Sequence, residues 1–186
     1  IYKELAVTLA AKGDYGQAFD LFEKAIKLRT KGTQFSYESE DLFLKLGDTC
    51  LDDDIMEAAN AYEEAVGIAK TLRGPRSFTL GALYLRLGTC LREIDHRFRD
   101  SLQAFLNSYK IMKRFPSMKK TVFECYHVSK GYIVSQLGNH EEAIRSLKVA
   151  LCSDRKNVEE AANIREQIFA AEEMEANVRL PVEFEV

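Results

Sequence analysis

A small residue, a large one four positions on and a small one three further recur four times along the chain. The sets are Ala18, Phe22 and Ala25; Ala58, Tyr62 and Ala65; Ser101, Phe105 and Ser108; and Ala143, Leu147 and Ala150. Their large members lie 40, 43 and 42 residues apart. Upstream of each set runs a second helical pattern with a small residue near its middle, namely Ala6, Gly47, Gly88 and Gly131. A glycine in mid-helix costs about 1 kcal/mol relative to alanine. Three of them at matching places therefore predict that a neighbouring helix packs closely there. The unit is a helical hairpin. Helix A offers its small residue, and helix B fills the space with an aromatic ring or a leucine carried between two small positions. One hairpin cannot bury both of its faces, so successive hairpins must stack and share a core. Gly13-Asp14-Tyr15 and Gly138-Asn139-His140 fall where A turns into B.

The periodicity predicts helices over 1–12, 15–31, 38–52, 55–72, 78–93, 98–114, 117–137, 140–152 and 157–176. Grouped in pairs they give repeats 1–31, 38–72, 78–114 and 117–152 within one 1–176 domain. The third repeat is one residue long near Arg97 and the second one short near Asp54. Val158, Ala161, Ile168, Phe169 and Ala171 form an apolar stripe flanked by charge in the last helix, which reads as a cap on the stack. Residues 177–186 form a tail in which Leu180-Pro181-Val182-Glu183-Phe184-Glu185-Val186 alternates apolar and polar. It reads as a linker, with folding back onto the helices or augmenting a partner as the sharper alternative.

These residues carry a family resemblance. Gly13-Asp14-Tyr15 with Ala18, Phe22 and Ala25 resembles the second half of a tetratricopeptide repeat, and Leu137-Gly138-Asn139-His140-Glu141-Glu142-Ala143 repeats it. Leu46-Gly47 and Leu87-Gly88 resemble the Leu-Gly pair of that motif's first helix. The family repeat has about 34 residues, and the surplus here lies between B and the next A, as in Lys70-Thr71-Leu72-Arg73-Gly74-Pro75. That lengthening is similar to the repeats of kinesin light chains. The resemblance implies an all-α, right-handed superhelical solenoid of stacked helix-turn-helix hairpins, ended by the capping helix.

Composition narrows the function. The 186 residues carry 26 basic and 29 acidic side chains, a net charge of −3 with the signs interspersed. That balance gives no general attraction to nucleic acid or anionic membrane. No apolar run is long enough to span a bilayer. Cys50, Cys90, Cys125 and Cys152 form no CxxC pair and read as reduced, buried small residues, which places the protein inside the cell, in the cytoplasm or on the cytoskeleton or a cilium. The chain begins inside an amphipathic pattern and reads as a fragment.

Candidate chemistry is sparse. His140-Glu141-Glu142 is not HExxH, since position 144 is Ile144. Asp52-Asp53-Asp54 fails the EF-hand pattern and reads as a solvated turn with an acid at the start of a helix. Cys125 and His127 point to different faces of a helix, and His127 reads as a packed core residue. No phosphate-binding loop is present, and the lone serines lack a base. The basic group Lys110, Lys113, Arg114, Lys119 and Lys120 suits an acidic partner segment or a phosphate backbone, or simply closes the C-terminal turn of one helix and opens the next connection. The sequence therefore predicts no enzyme, no cofactor, no metal and no small-molecule substrate.

The resemblance places a binding groove on the A helices. Carried over, its positions are Lys3, Val7, Ala10 and Ala11; Leu44, Asp48, Leu51 and Asp52; Leu85, Thr89, Arg92 and Glu93; and Val128, Tyr132, Ser135 and Gln136. Asp48, Asp52, Arg92 and Tyr132 are the expected specificity elements. Val7, Leu85 and Thr89 stand where a carboxylate clamp for chaperone C-termini needs Asn, Lys and Arg, which argues against that ligand. The expected function is a protein-interaction module, an adaptor or scaffold holding a peptide segment or partner subunit. The alternatives are a structural subunit of a large complex, or a regulatory domain beside an enzyme outside this sequence.

Overall fold

The computed structural model describes residues 1–12, 14–30, 36–51, 53–152 and 158–179. Gly13, residues 31–35, Asp52, residues 153–157 and the tail 180–186 lie outside it. Among the described residues there are nine α-helices and no strand: α1 (Tyr2–Ala11), α2 (Tyr15–Thr30), α3 (Tyr37–Cys50), α4 (Ile55–Arg73), α5 (Phe78–Glu93), α6 (Phe98–Met112), α7 (Lys119–Gln136), α8 (His140–Leu151) and α9 (Val158–Arg179). The fold is an all-α repeat of helical hairpins. It forms two compact units, residues 1–114 with α1 to α6 and residues 115–186 with α7 to α9.

Local chemistry starts the helices. The Ser36 hydroxyl accepts from the Ser39 N–H at 3.0 Å and Ser77 from the Leu80 N–H at 3.2 Å. Asp54 accepts from the Met56 and Glu57 N–H groups at 3.1 and 3.0 Å, so the acidic run ends in the N-cap of α4. Asn139 caps α8 through the Glu142 N–H at 3.2 Å. Gly138 follows α7 with φ 80°, the left-handed turn for which glycine is suited. In the longer third repeat His96 takes that conformation, with φ 69°.

The small residues of the A helices meet the large residues of the B helices, as the spacing requires. A Cβ built on Gly47 would stand 2.7 Å from Cε1 of Tyr62, one on Gly88 3.1 Å from Cδ2 of Phe105, and one on Gly131 2.5 Å from Cγ of Leu147. Ala6 and Phe22, the first pair, are both fully buried. Each knob removed from water is worth roughly 1.5–3 kcal/mol, which outweighs the helix propensity lost at its glycine. The third hairpin adds a polar stitch, since the Ser101 hydroxyl donates to the Gly88 carbonyl at 2.7 Å. Serine thus stands at a small position of α6 without leaving a buried group unpaired.

Within unit 1 a buried ion pair ties the second hairpin end to end. Glu40 is 3% exposed, and Arg73 Nε donates to its two carboxylate oxygens at 2.8 and 2.7 Å. The guanidinium also lies 4.8 Å from the centre of the Tyr37 ring. The cysteines correct the sequence reading in part. Cys50 and Cys90 are buried, but Cys125 is half-buried and Cys152 is exposed.

In unit 2, Ile164, Ile168 and Ala171 of α9 pack with Ile144, Leu147 and Ala150 of α8. Their spacing repeats that of the buried Leu42, Leu46 and Thr49 in α3 and Leu83, Leu87 and Cys90 in α5. One residue beyond the middle member, α3 and α5 have Gly47 and Gly88, whereas α9 has Phe169, 68% exposed.

Candidate partner-binding face

The A helices of unit 1 are α1, α3 and α5, and two ion pairs run between them. Lys3 of α1 pairs with Asp41 of α3, which Lys45 also approaches at 3.9 Å. Asp48 of α3 pairs with Arg86 of α5 and accepts the Tyr62 hydroxyl at 2.6 Å. Asp48 therefore joins α3, α4 and α5. Burial, then the Asp48 hydrogen bond, pushes the Tyr62 hydroxyl far above its usual pKa, so Tyr62 stays a donor at any physiological pH. Asp48, one of the four expected specificity elements, is thus exposed but already engaged by contacts within the chain. Arg86 and Asp41, its counterparts in these ties, are not among the positions the resemblance supplies. The available signal is opposite charge on the A helices of consecutive repeats.

The remaining positions of unit 1 differ in how open they are. Val7 is 41% exposed and Leu51, just beyond α3, is 38% exposed. Leu44 and Leu85 are half-buried. Thr89 is exposed, with its hydroxyl donating to the Leu85 carbonyl at 3.0 Å. Arg92 pairs with its neighbour Glu93 at 2.9 Å. Lys3 and Ala10 are half-buried, the Ala11 side chain is outside the described set, and Asp52 falls outside the described residues altogether.

In unit 2, Val128 packs against the α8–α9 cluster and serves the core. Tyr132 is 36% exposed and Gln136 is exposed. Ser135 Oγ lies 3.4 Å from His140 Nδ1 across the turn into α8. His127 is half-buried, with the rings of Phe123 and Tyr126 at 4.4 and 5.1 Å. Burial and the Lys130 charge lower its pKa, which keeps the imidazole neutral near pH 7. Glu142, of the His140-Glu141-Glu142 run, pairs with Lys130 at 2.7 Å, and that contact holds its carboxyl below the usual range. Among the described residues no group of three His, Cys, Asp or Glu side chains could hold a metal. None of the described helices is long and apolar enough to cross a membrane.

Comparison with known proteins bears on the fold. Residues 1–31 match the tetratricopeptide repeat family. No curated protein matches the chain significantly. Among solved structures, BtubC (BKLC) from P. vanneervenii is similar with a TM-score of 0.73 at 14% identity, over 93% of this chain and 71% of that one. A mutant form of MamA aligns with a TM-score of 0.55 at 16% identity, over 94% of this chain and 86% of that one. TTC0263, a thermophilic TPR protein in Thermus thermophilus, gives 0.47 at 20% identity, over 96% and 81%.

Proposed function

For a chain that carries a tetratricopeptide repeat at residues 1–31 and continues in helical hairpins through its described residues, we propose a role as a protein-binding module. Its A-helix faces hold a segment of another protein. The observation that carries this reading is the exposure of apolar side chains at positions where the repeat places its groove. Val7, Leu51 and Tyr132 are each more than a third exposed. Exposed apolar side chains at such positions suit a protein partner. Thr89 and Arg92 add polar contacts beside them, and an arginine next to an apolar patch is a common anchor in such interfaces. A peptide lies along the A-helix face of either unit, and no step of covalent chemistry is required of it.

The ties described above decide which variants can test this. Reversing Asp48 would break the Tyr62 and Arg86 contacts and confound binding with folding. Val7→Glu, Leu51→Glu and Thr89→Glu change exposed positions instead. The chain is used to capture partners from a lysate, and each captured protein is then purified and titrated against wild type and the triple variant. A partner that binds wild type and loses at least tenfold in affinity for the equally stable variant supports the reading. Equal affinity for both would move binding off the A helices.

A further inference from the structure

The cleft between α4, α5 and α6 differs in charge from the rest of unit 1. Lys70, Lys110 and Arg114 line a cavity of about 450 Å3, floored by the buried Leu80 and Ile111 and walled by Tyr84. No carboxylate lines it among the described residues. Elsewhere basic side chains reach acids on other helices, as Arg86 does with Asp48, Arg97 with Glu63, Lys130 with Glu142 and Lys148 with Glu172. None of the three cleft cations enters an ion pair among the described residues. Lys70 instead lies 5.5 Å from the centre of the Tyr84 ring.

Position in the helices explains part of this. Lys70 and Lys110 lie in the last turns of α4 and α6, where a cation complements the helix dipole. The dipole accounts for their sign. It does not account for an acid-free pocket in a chain with 29 acidic and 26 basic side chains. Nor does it account for an apolar floor between the three charges.

We propose that this cleft is a second docking site, built for an acidic, extended segment of a partner protein. Carboxylates of that segment meet Lys70, Lys110 and Arg114, while an apolar side chain between them rests on Leu80 and Ile111. The cavity is of side-chain size, and its cations surround it, whereas a phosphate backbone needs a track of them. The Tyr84 face is taken by Lys70 and offers no stacking platform for a base. The cleft is lined by none of the A-helix positions named for the partner-binding face, and it stands whether or not those faces bind a partner.

The test uses the whole chain and a labelled probe peptide, Glu-Glu-Ile-Glu-Glu, beside its Gln-Gln-Ile-Gln-Gln counterpart and a short single-stranded DNA. Fluorescence anisotropy is read at about 50 mM salt, where screening is weak. The acidic probe is expected to bind at least tenfold more tightly than the glutamine one. Lys110→Glu/Arg114→Glu should lose at least tenfold, and the milder Lys70→Gln/Lys110→Gln a smaller amount with an unchanged melting curve. Lys24→Glu, an equal change of sign at an exposed position of α2 outside both sites, should bind the probe as wild type does. Equal binding of the two peptides overturns the proposal, as does indifference to both cleft variants. DNA binding tighter than the acidic peptide, and lost with the same substitutions, would reassign the cleft to nucleic acid.

Discussion

Replacing Gly47 by alanine tests the packing logic of the whole repeat, because two opposed effects can be weighed at one atom. Alanine is the better helix former, so on propensity alone the change stabilises α3 by about 1 kcal/mol. The new Cβ, however, would stand 2.7, 2.9 and 2.9 Å from Cε1, Cδ1 and Cζ of Tyr62. Carbon atoms pack at about 3.5–4.0 Å, so the ring must retreat by roughly 1 Å. Tyr62 is 1% exposed, and its hydroxyl is held by Asp48 at 2.6 Å, so it has nowhere to go without straining that bond. Overpacking of this kind costs about 1–3 kcal/mol, and loss of a hydrogen bond to a charged acceptor costs about 1.5–3 kcal/mol. The clash wins, and Gly47→Ala should destabilise by about 1–3 kcal/mol. Gly67, in α4 of the same hairpin, has nothing within 4 Å of a built Cβ, so Gly67→Ala should stabilise by about 1 kcal/mol. Urea titration followed by circular dichroism reads both, and with a slope of about 1–3 kcal/mol per molar the two midpoints should move apart by roughly 1 M or more. Adding Tyr62→Leu to Gly47→Ala should cost less than the sum of the single changes, because the clash is then removed. The reasoning fails if both alanines shift stability in the same direction, or if the Gly47 and Tyr62 changes simply add.

Three further outcomes are expected. Arg73→Ala strands the buried Glu40 carboxylate and should cost about 2–4 kcal/mol, while Arg73→Met with Glu40→Leu recovers most of it; chemical denaturation distinguishes the two. His96→Gly relieves a left-handed non-glycine residue and should stabilise unit 1 by about 1 kcal/mol, read as a higher urea midpoint. Burial pushes the Cys50 and Cys90 thiols up to about 11, so neither should react with an alkylating agent at pH 8 until the chain is unfolded, whereas exposed Cys152 reacts in the native state. The same shifts set the alkaline limit. Thiol pKa values raised on folding leave their contribution intact below pH 9, the ordinary value for an unfolded thiol. Stability should then fall as pH rises from 9 towards 11. A pH series of urea midpoints, flat from neutral pH to 9 and declining above, is the expected result.

What could be read from the sequence was whatever a single helix face encodes. Gly47 with Tyr62, Gly88 with Phe105 and Gly131 with Leu147 are legible because a helix repeats its neighbours every three to four residues. A missing side chain in one helix must be matched by a large one in the other. The helix starts are legible for the same local reason, since Asp54, Ser77 and Asn139 sit next to the N–H groups they cap. What escaped is chiefly what depends on polar side chains of different helices being brought together. Asp48 looks like an exposed acid in its own helix, and only the approach of α5 supplies Arg86. Glu40 and Arg73 lie at opposite ends of a hairpin, and nothing in their local patterns links them. His96 escaped because its left-handed turn normally calls for glycine, and the extra residue of the third repeat forces a histidine into that place. For the binding face, sequence spacing located the A helices, but side-chain openness at each position depends on neighbours that the spacing does not contain.

Phe169 bears on how this array could be lengthened by design. A stack of hairpins is in effect a one-dimensional crystal, in which every layer exposes a template for the next. The template in α3 and α5 is a glycine recess, and α9 presents a protruding ring at the equivalent place. A B helix grafted after α9 to complete its hairpin, with further layers behind it, would meet that ring before it could close to the distance at which Phe105 seats on Gly88. The seam would open, and the graft would hang as a separate module on its linker. Changing Phe169 to glycine is therefore the first edit for anyone extending the array, and retaining it is the simplest way to keep a further layer from docking on α9.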